Sequence, residues 1–184
     1  GDTFYVTDTF ALPCEATETR VNAGADANEY MVAHLDDSEK VNRPENLVGW
    51  YHSHPGYGCW LSGIDVTTQS MLQKQGPWIA IVVDPKRTMS AGKVEIGCFR
   101  TYSDEHIKAI EAQMSKDGGQ GSNVSVPLDK IKELGSHYHK YHQLETSFYK
   151  SSVDQEVLSR LWNEYWLATL SSSPLFSNQK EITN

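Results

Sequence analysis

Cysteine is scarce in this sequence. Cys14, Cys59 and Cys98 are odd in number, scattered, and form no Cys-x-x-Cys pair, which argues against a disulfide framework and for a reducing compartment, cytoplasm or nucleus. Positive charge is also short: 16 Lys and Arg against 24 Asp and Glu leave a formal net charge of −8. Binding phosphates needs a basic face, so nucleic acid is a poor partner class. The longest aliphatic run, Trp78-Ile-Ala-Ile-Val-Val83, falls far short of the ~20 residues of a membrane-spanning helix, so no membrane partner is expected. No signal peptide is visible. The acidic runs Asp36-Asp37-Ser38-Glu39 and Ser103-Asp104-Glu105 read as solvated surface.

What the sequence does have is concentrated between Gly49 and Asp65. His52 and His54 stand two residues apart, and Asp65 follows eleven residues after His54. The run Asn46-Leu-Val-Gly-Trp-Tyr51 reads as a buried strand. Alternate side chains of a strand share a face, so His52 and His54 project together while Ser53 projects the other way. Pro55-Gly56-Tyr57-Gly58 ends the strand in a sharp turn. A helix then opens at Ser62-Gly63 and stops at Gly76-Pro77, with Asp65 in its first turn. Two imidazoles and one carboxylate, with a fourth tetrahedral position open to water, form a catalytic zinc set. The same Ser62-x-x-Asp65 spacing also fits a plain helix capping box, and Ser62 is able to serve both purposes. Cys59 lies near enough to be considered as a nucleophile, but a Cys-His hydrolase needs a base and an orienting group, and nothing in the sequence supplies a clear third member.

Along the chain, Thr3 to Leu12 alternates and reads as a strand, and Pro13 to Gly24 as a polar loop. Ala25 to Val41 reads as an amphipathic helix carrying Tyr30, Met31 and His34 or Leu35 on one face. Trp78–Val83 and Gly92–Tyr102 read as strands whose short link, Asp84 to Ala91, makes them an antiparallel pair. Ser103 to Asn123 is expected to be the least ordered stretch, opening as a helix and ending in a glycine-rich loop. A short helix is expected near Asp129–Leu134. Ser136 to Lys150 alternates and holds His137, His139 and His142, which read as surface polar residues because no turn or first-turn carboxylate follows them. Val153 to Leu170 reads as a helix with an apolar stripe of Leu158, Leu161, Trp162, Tyr165 and Trp166, a core or partner contact. The sum is one domain spanning residues 1–184, of α/β class with a mixed sheet.

His52-Ser-His54-Pro and Ser62-x-x-Asp65 resemble the JAMM motif of MPN-domain metalloproteases. Phe10-Ala-Leu-Pro, Thr17-Glu-Thr-Arg-Val-Asn22, the whole of Gly49–Val66, Ser90-Ala-Gly-Lys-Val, Phe99-Arg-Thr-Tyr, Leu161-Trp-Asn-Glu-Tyr-Trp and Leu170-Ser-Ser-Ser-Pro resemble one branch of that family, the catalytic subunits of the COP (constitutive photomorphogenesis) signalosome. The resemblance implies an MPN (JAMM) domain with a mixed, mostly antiparallel sheet flanked by helices, similar to cytidine deaminases. It implies one Zn2+ per chain on His52, His54 and Asp65, with Ser62 stabilising the oxyanion of the tetrahedral intermediate. It implies removal of a ubiquitin-like modifier from neddylated cullin-RING ligases, and assembly with other signalosome subunits, a second MPN-domain subunit among them. It matches Glu18 to a glutamate that approaches the zinc and holds the free subunit inactive; plain surface charge is the other reading of Glu18. Tyr57 and Trp60 either shape the cleft or pack beside it.

The family also has a helix and strands ahead of the position of Gly1, one of them carrying the glutamate that moves the proton. Glu15, the first glutamate here, lies beyond the matching strand. The expectation is therefore that residues 1–184 bind zinc but hydrolyse isopeptides poorly, since general acid–base help is typically worth about 10²–10⁴-fold. Two other functions fit the same domain: a non-catalytic MPN scaffold, and a ubiquitin-chain deubiquitinase.

Overall fold

A computed structural model describes residues 3–17, 20–22, 25–116 and 135–174. The chain packs as two compact units, residues 1–49 and 50–184. Glu18, the glycine-rich stretch 117–123 and the helix expected near Asp129–Leu134 lie outside the described residues.

In the first unit, residues 3–12 form no strand, where the sequence suggests one. Alternation fits them to a sheet, yet among the described residues no neighbouring strand receives their backbone groups. The loop expected over Pro13–Gly24 contains instead two short strands, β1 (Glu15–Thr17) and β2 (Arg20–Asn22), paired antiparallel with Glu15 opposite Asn22. Their polar composition hides them from a pattern search. Helix α1 (Ala25–Lys40) follows as expected, and Phe10 stacks on its His34 at 4.0 Å. It ends in a Schellman motif. Asn42 turns left-handed at φ 59°, its N–H donates to the Glu39 carbonyl, and the Arg43 N–H donates to that of Ser38.

The second unit is built on a four-stranded sheet in the order β3 (Gly49–Ser53), β4 (Ile79–Val83), β5 (Ile96–Thr101), β6 (Tyr141–Leu144). Helix α2 (Gly63–Gln73) crosses from β3 to β4. The His54 N–H donates to the Val83 carbonyl at 2.9 Å, which joins the C-terminal ends of the two strands and makes them parallel. β4–β5 and β5–β6 are antiparallel, so the sheet is mixed and the α/β class holds.

The β4–β5 link is not a bare connection. Asp84 caps helix α3 (Pro85–Ala91), Pro85 occupies its first turn, and Gly92 closes it at φ 67°. Reading Asp84-Pro85 only as a strand stop overlooks that an acceptor followed by proline is also a helix start. Helix α4 (Asp104–Lys116) is the helix expected to open the stretch after Ser103. Over Ser136–Lys150 the expected alternation yields a 3₁₀ turn at Tyr138–Lys140 and then only the four residues of β6. Helix α5 (Ser152–Ser171) opens on a capping box of Ser151 and Asp154. Its stripe is mostly not core: Leu158 is buried, while Leu161, Trp162 and Trp166 remain about two-fifths exposed. α5 is tied to α3 by the Trp166 indole N–H, which donates to the Ser90 carbonyl at 3.0 Å.

The core is Leu61, Val66, Ala80, Val82, Phe99 and Tyr141. Tyr141 meets Phe99 edge to face at 5.5 Å, and its hydroxyl oxygen accepts the buried Leu61 N–H at 3.1 Å. Burial pushes the phenol pKa up to about 12, so the hydroxyl stays neutral. Tyr141→Phe keeps the ring and strands the Leu61 N–H. The expected loss is about 1–3 kcal/mol, measurable by chemical denaturation; a change below ~0.5 kcal/mol would mean that the amide finds another acceptor.

Candidate metal centre

β3 delivers His52 and His54 from adjacent same-side positions at its end, and the first turn of α2 delivers Asp65. His52 Nε2 and His54 Nε2 are 3.1 Å apart. Asp65 Oδ2 is 3.6 Å from His52 Nε2 and 4.0 Å from His54 Nε2. Two nitrogens each about 2.0–2.1 Å from a tetrahedral zinc stand about 3.3–3.4 Å apart, and the three observed separations bracket that value. Among the described residues this is the one group of three or more His, Cys, Asp or Glu side chains close enough to hold a metal ion. The side chains are 17 %, 13 % and 15 % exposed, partly shielded from water but reachable.

Each ligand atom is aimed by a neighbour. His54 Nδ1 lies 3.1 Å from the Gly58 carbonyl. A carbonyl only accepts, so Nδ1 carries the proton and Nε2 keeps its lone pair for the centre. Burial holds the His54 pKa below the usual histidine value, and the neighbouring His52 adds to that; a neutral imidazole is the form a metal needs. The His52 ring stacks on Trp50 at 4.9 Å and 12°, while its Nδ1 is buried with no hydrogen-bond partner among the described residues.

Asp65 Oδ2 accepts the Ser62 N–H at 2.8 Å, and Ser62 Oγ accepts the Asp65 N–H at 3.2 Å. The capping box and the metal geometry are therefore one structure. Burial opposes ionisation of Asp65, but hydrogen bonds from His52 and Ser62 outweigh it and hold the carboxyl below its ordinary value. Because the Ser62 oxygen takes the cap bond as acceptor, its own O–H is left to donate.

Tyr57 and Trp60 both flank His54, at 6.3 and 5.1 Å between ring centroids. Tyr57 is half exposed, and the Trp60 indole N–H donates to the Tyr57 carbonyl at 2.8 Å. Cys59 is half-buried, and burial pushes its thiol up, the opposite of what a nucleophile needs. His137, His139 and His142 do not converge. His137 packs on Gly63, where an added Cβ would lie 2.9 Å from its Nε2. His139 faces Glu111 at 3.6 Å, and His142 lies against Tyr102 at 4.8 Å. The sequence reading passes over Asp84, Trp50 and Gln69, all within hydrogen-bonding or stacking reach of the groups that aim the ligands.

Residues 1–77 match the family described as JAB1/Mov34/MPN/PAD-1 ubiquitin protease. Over nearly its whole length the chain is similar to proteins named COP9 signalosome complex subunit 5. It is 56% identical to that of Aspergillus fumigatus over 178 residues, 97% of this chain and 52% of the relative. It is 54% identical to that of Dictyostelium discoideum over 184 residues, 100% of this chain and 53% of the relative. For Caenorhabditis elegans the identity is 54% over 185 residues, 100% of this chain and 48% of the relative. The chain thus spans about half the length of the curated relatives it matches.

Proposed function

We propose, on the premise that this chain carries a domain of the JAB/MPN family, that it is the catalytic subunit of a COP9-type signalosome: a zinc-dependent isopeptidase that removes a ubiquitin-like modifier from cullins. The observation that carries the reading is the convergence of His52 Nε2, His54 Nε2 and Asp65 Oδ2 within 4.0 Å at a spacing that fits a tetrahedral ion. Its partners are then the other signalosome subunits, including a second MPN-domain subunit, its substrate a neddylated cullin-RING ligase, and its compartments cytoplasm and nucleus.

In this reading His52, His54 and Asp65 hold the zinc. When bound, zinc supplies a Lewis acid that polarises a carbonyl and brings the pKa of water from 15.7 to about 7. The chain's own residues do the rest. The Gly58 carbonyl keeps the His54 proton on Nδ1, and Trp50 keeps the His52 ring in plane. Ser62 directs its O–H toward the oxygen that gains charge as the isopeptide carbonyl is attacked; one such donor is worth about 10²–10³-fold in rate where it has been removed. Tyr57 and Trp60 wall the approach beside His54. On the resemblance, the proton acceptor is a glutamate from the family's segment ahead of Gly1, and Glu18 matches the family's gating glutamate.

Metal removal tests the reading. The full chain, assembled in its complex, should contain one zinc per copy. Chelation should reduce cleavage of a modifier-conjugated cullin to background, and added zinc should restore it. A modified cullin should be cut in preference to lysine-linked ubiquitin chains; the reverse preference would make the protein a deubiquitinase. Cleavage that persists in metal-free protein would overturn the assignment.

A further inference from the structure

Asp84 lies outside the ligand set, yet it is fully buried and saturated with donors. Its Oδ1 accepts the N–H groups of Gly56 and Arg87, each at 2.9 Å. Its Oδ2 accepts the Gly58 N–H at 2.8 Å and faces Arg87 Nε at 3.3 Å. Capping α3 uses one of these bonds, the one from Arg87 N–H, and α3 is only seven residues long. A serine would suffice for that cap. The two glycine bonds serve something else.

Those glycines form the turn directly after His54. Both are left-handed, at φ 90° and 82°, a conformation open to glycine at no steric cost. A Cβ at Gly58 would also stand 3.0 Å from the Arg87 guanidinium. Gly58 is held at both of its polar groups: its N–H by Asp84, its carbonyl by His54 Nδ1 at 3.1 Å. Next to Asp84, the Val83 carbonyl takes the backbone N–H of His54 itself. His54 is therefore fixed on its main chain by one end of β4 and on its ring by a turn that the adjoining carboxylate shapes.

We infer that Asp84 is a positioning residue for the metal centre: by gripping the Gly56–Gly58 turn it presents the Gly58 carbonyl to His54 Nδ1 and so sets the tautomer that leaves Nε2 free to ligate. The inference rests on the proposed zinc site, since positioning matters there, but its structural half stands without metal. Asp84 touches no substrate and moves no proton. Loss of an outer-shell partner of a metal-bound histidine typically costs 10–100-fold in affinity, and that range is expected here.

The test uses the full chain, stripped of metal. Nitrogen-15 NMR of the metal-free wild type should find the His54 ring protonated at Nδ1. Zinc titration by calorimetry should then give a dissociation constant 10–100-fold weaker for Asp84→Ser, which keeps the α3 cap but has one acceptor oxygen. For Asp84→Asn, which keeps a carbonyl oxygen in place, the loss should be smaller. In both variants the His54 ring should populate the Nε2–H tautomer. Arg87→Ala, which leaves both Asp84 oxygens on the glycines, should leave the tautomer unchanged. Unaltered zinc affinity and tautomer in a folded variant would mean that Asp84 serves stability alone. If the serine variant does not fold, the asparagine variant and the wild-type tautomer still decide: an Nε2–H ring in the metal-free wild type overturns the inference by itself. A wild type with Nδ1–H that binds no zinc would refute the metal site and leave the positioning geometry intact.

Discussion

Asp65→Asn should abolish turnover and weaken zinc binding by more than the 10–100-fold that outer-shell losses produce, while the fold survives. The two effects separate because Asp65 has two jobs. As the third residue of α2 it accepts the Ser62 N–H at 2.8 Å, and an asparagine oxygen performs that task nearly as well. As a ligand it sets a full negative charge 3.6 and 4.0 Å from the two imidazole nitrogens; the amide lacks that charge and binds a hard cation poorly. With a neutral third ligand the centre keeps two histidines, too few for a catalytic zinc. The checks are zinc content after dialysis, calorimetric titration of the stripped protein, and cleavage of a modified cullin by the assembled complex. Metal-free melting should change little. Wild-type zinc affinity in the variant would remove Asp65 from the ligand set, and a large fall in melting temperature would mean that the capping role dominates.

The parts of this centre that were legible in the sequence are those that local geometry ties together. A strand's two-residue period puts His52 and His54 on one side whatever the rest of the fold does. The Ser62-x-x-Asp65 spacing announces a helix start, and a helix start after a tight turn brings Asp65 back toward the strand end. Asp84 was illegible for the opposite reason. It stands more than twenty residues from the turn it holds, and it acts on backbone N–H groups, which leave no mark on the sequence of the turn beyond the glycines. The same holds for the fold. Trp78–Val83 and Gly92–Tyr102 declare themselves by apolar pattern and a short link. Residues 3–12 carry as good a pattern but have no described strand to pair with, and pairing, not pattern, makes a strand. The β1–β2 pair fails in the other direction: polar residues pair because a neighbour is at hand.

Gln69→Leu should cost about 2–6 kcal/mol of stability, from two orphaned partners at roughly 1–3 kcal/mol each, and should loosen the centre as well. Gln69 is fully buried on α2 and uses both ends of its amide. Its oxygen accepts the Trp50 indole N–H at 2.8 Å. Its nitrogen donates to the Trp78 carbonyl at 2.8 Å and to Gln73 Oε1 at 3.1 Å. Gln73 in turn accepts the Thr101 N–H at 3.1 Å and donates to its carbonyl at 2.9 Å. Two amides one helical turn apart thus stitch α2 to β3, to the entry of β4, and to the end of β5. Leucine fills the same space but leaves the Trp50 N–H and the Trp78 carbonyl without partners, and in a low-dielectric interior such a half-satisfied network is worse than none. The consequence reaches the metal because the His52 ring lies on the face of Trp50 and its Nδ1 has no hydrogen-bond partner among the described residues to hold it otherwise on that side. Zinc affinity should therefore fall in Gln69→Leu even under conditions where the protein remains folded. Denaturant unfolding and zinc titration on the same preparation provide the check: a stability loss with unchanged affinity would confine Gln69 to the core, and no loss in either would show that the indole and carbonyl are satisfied by water.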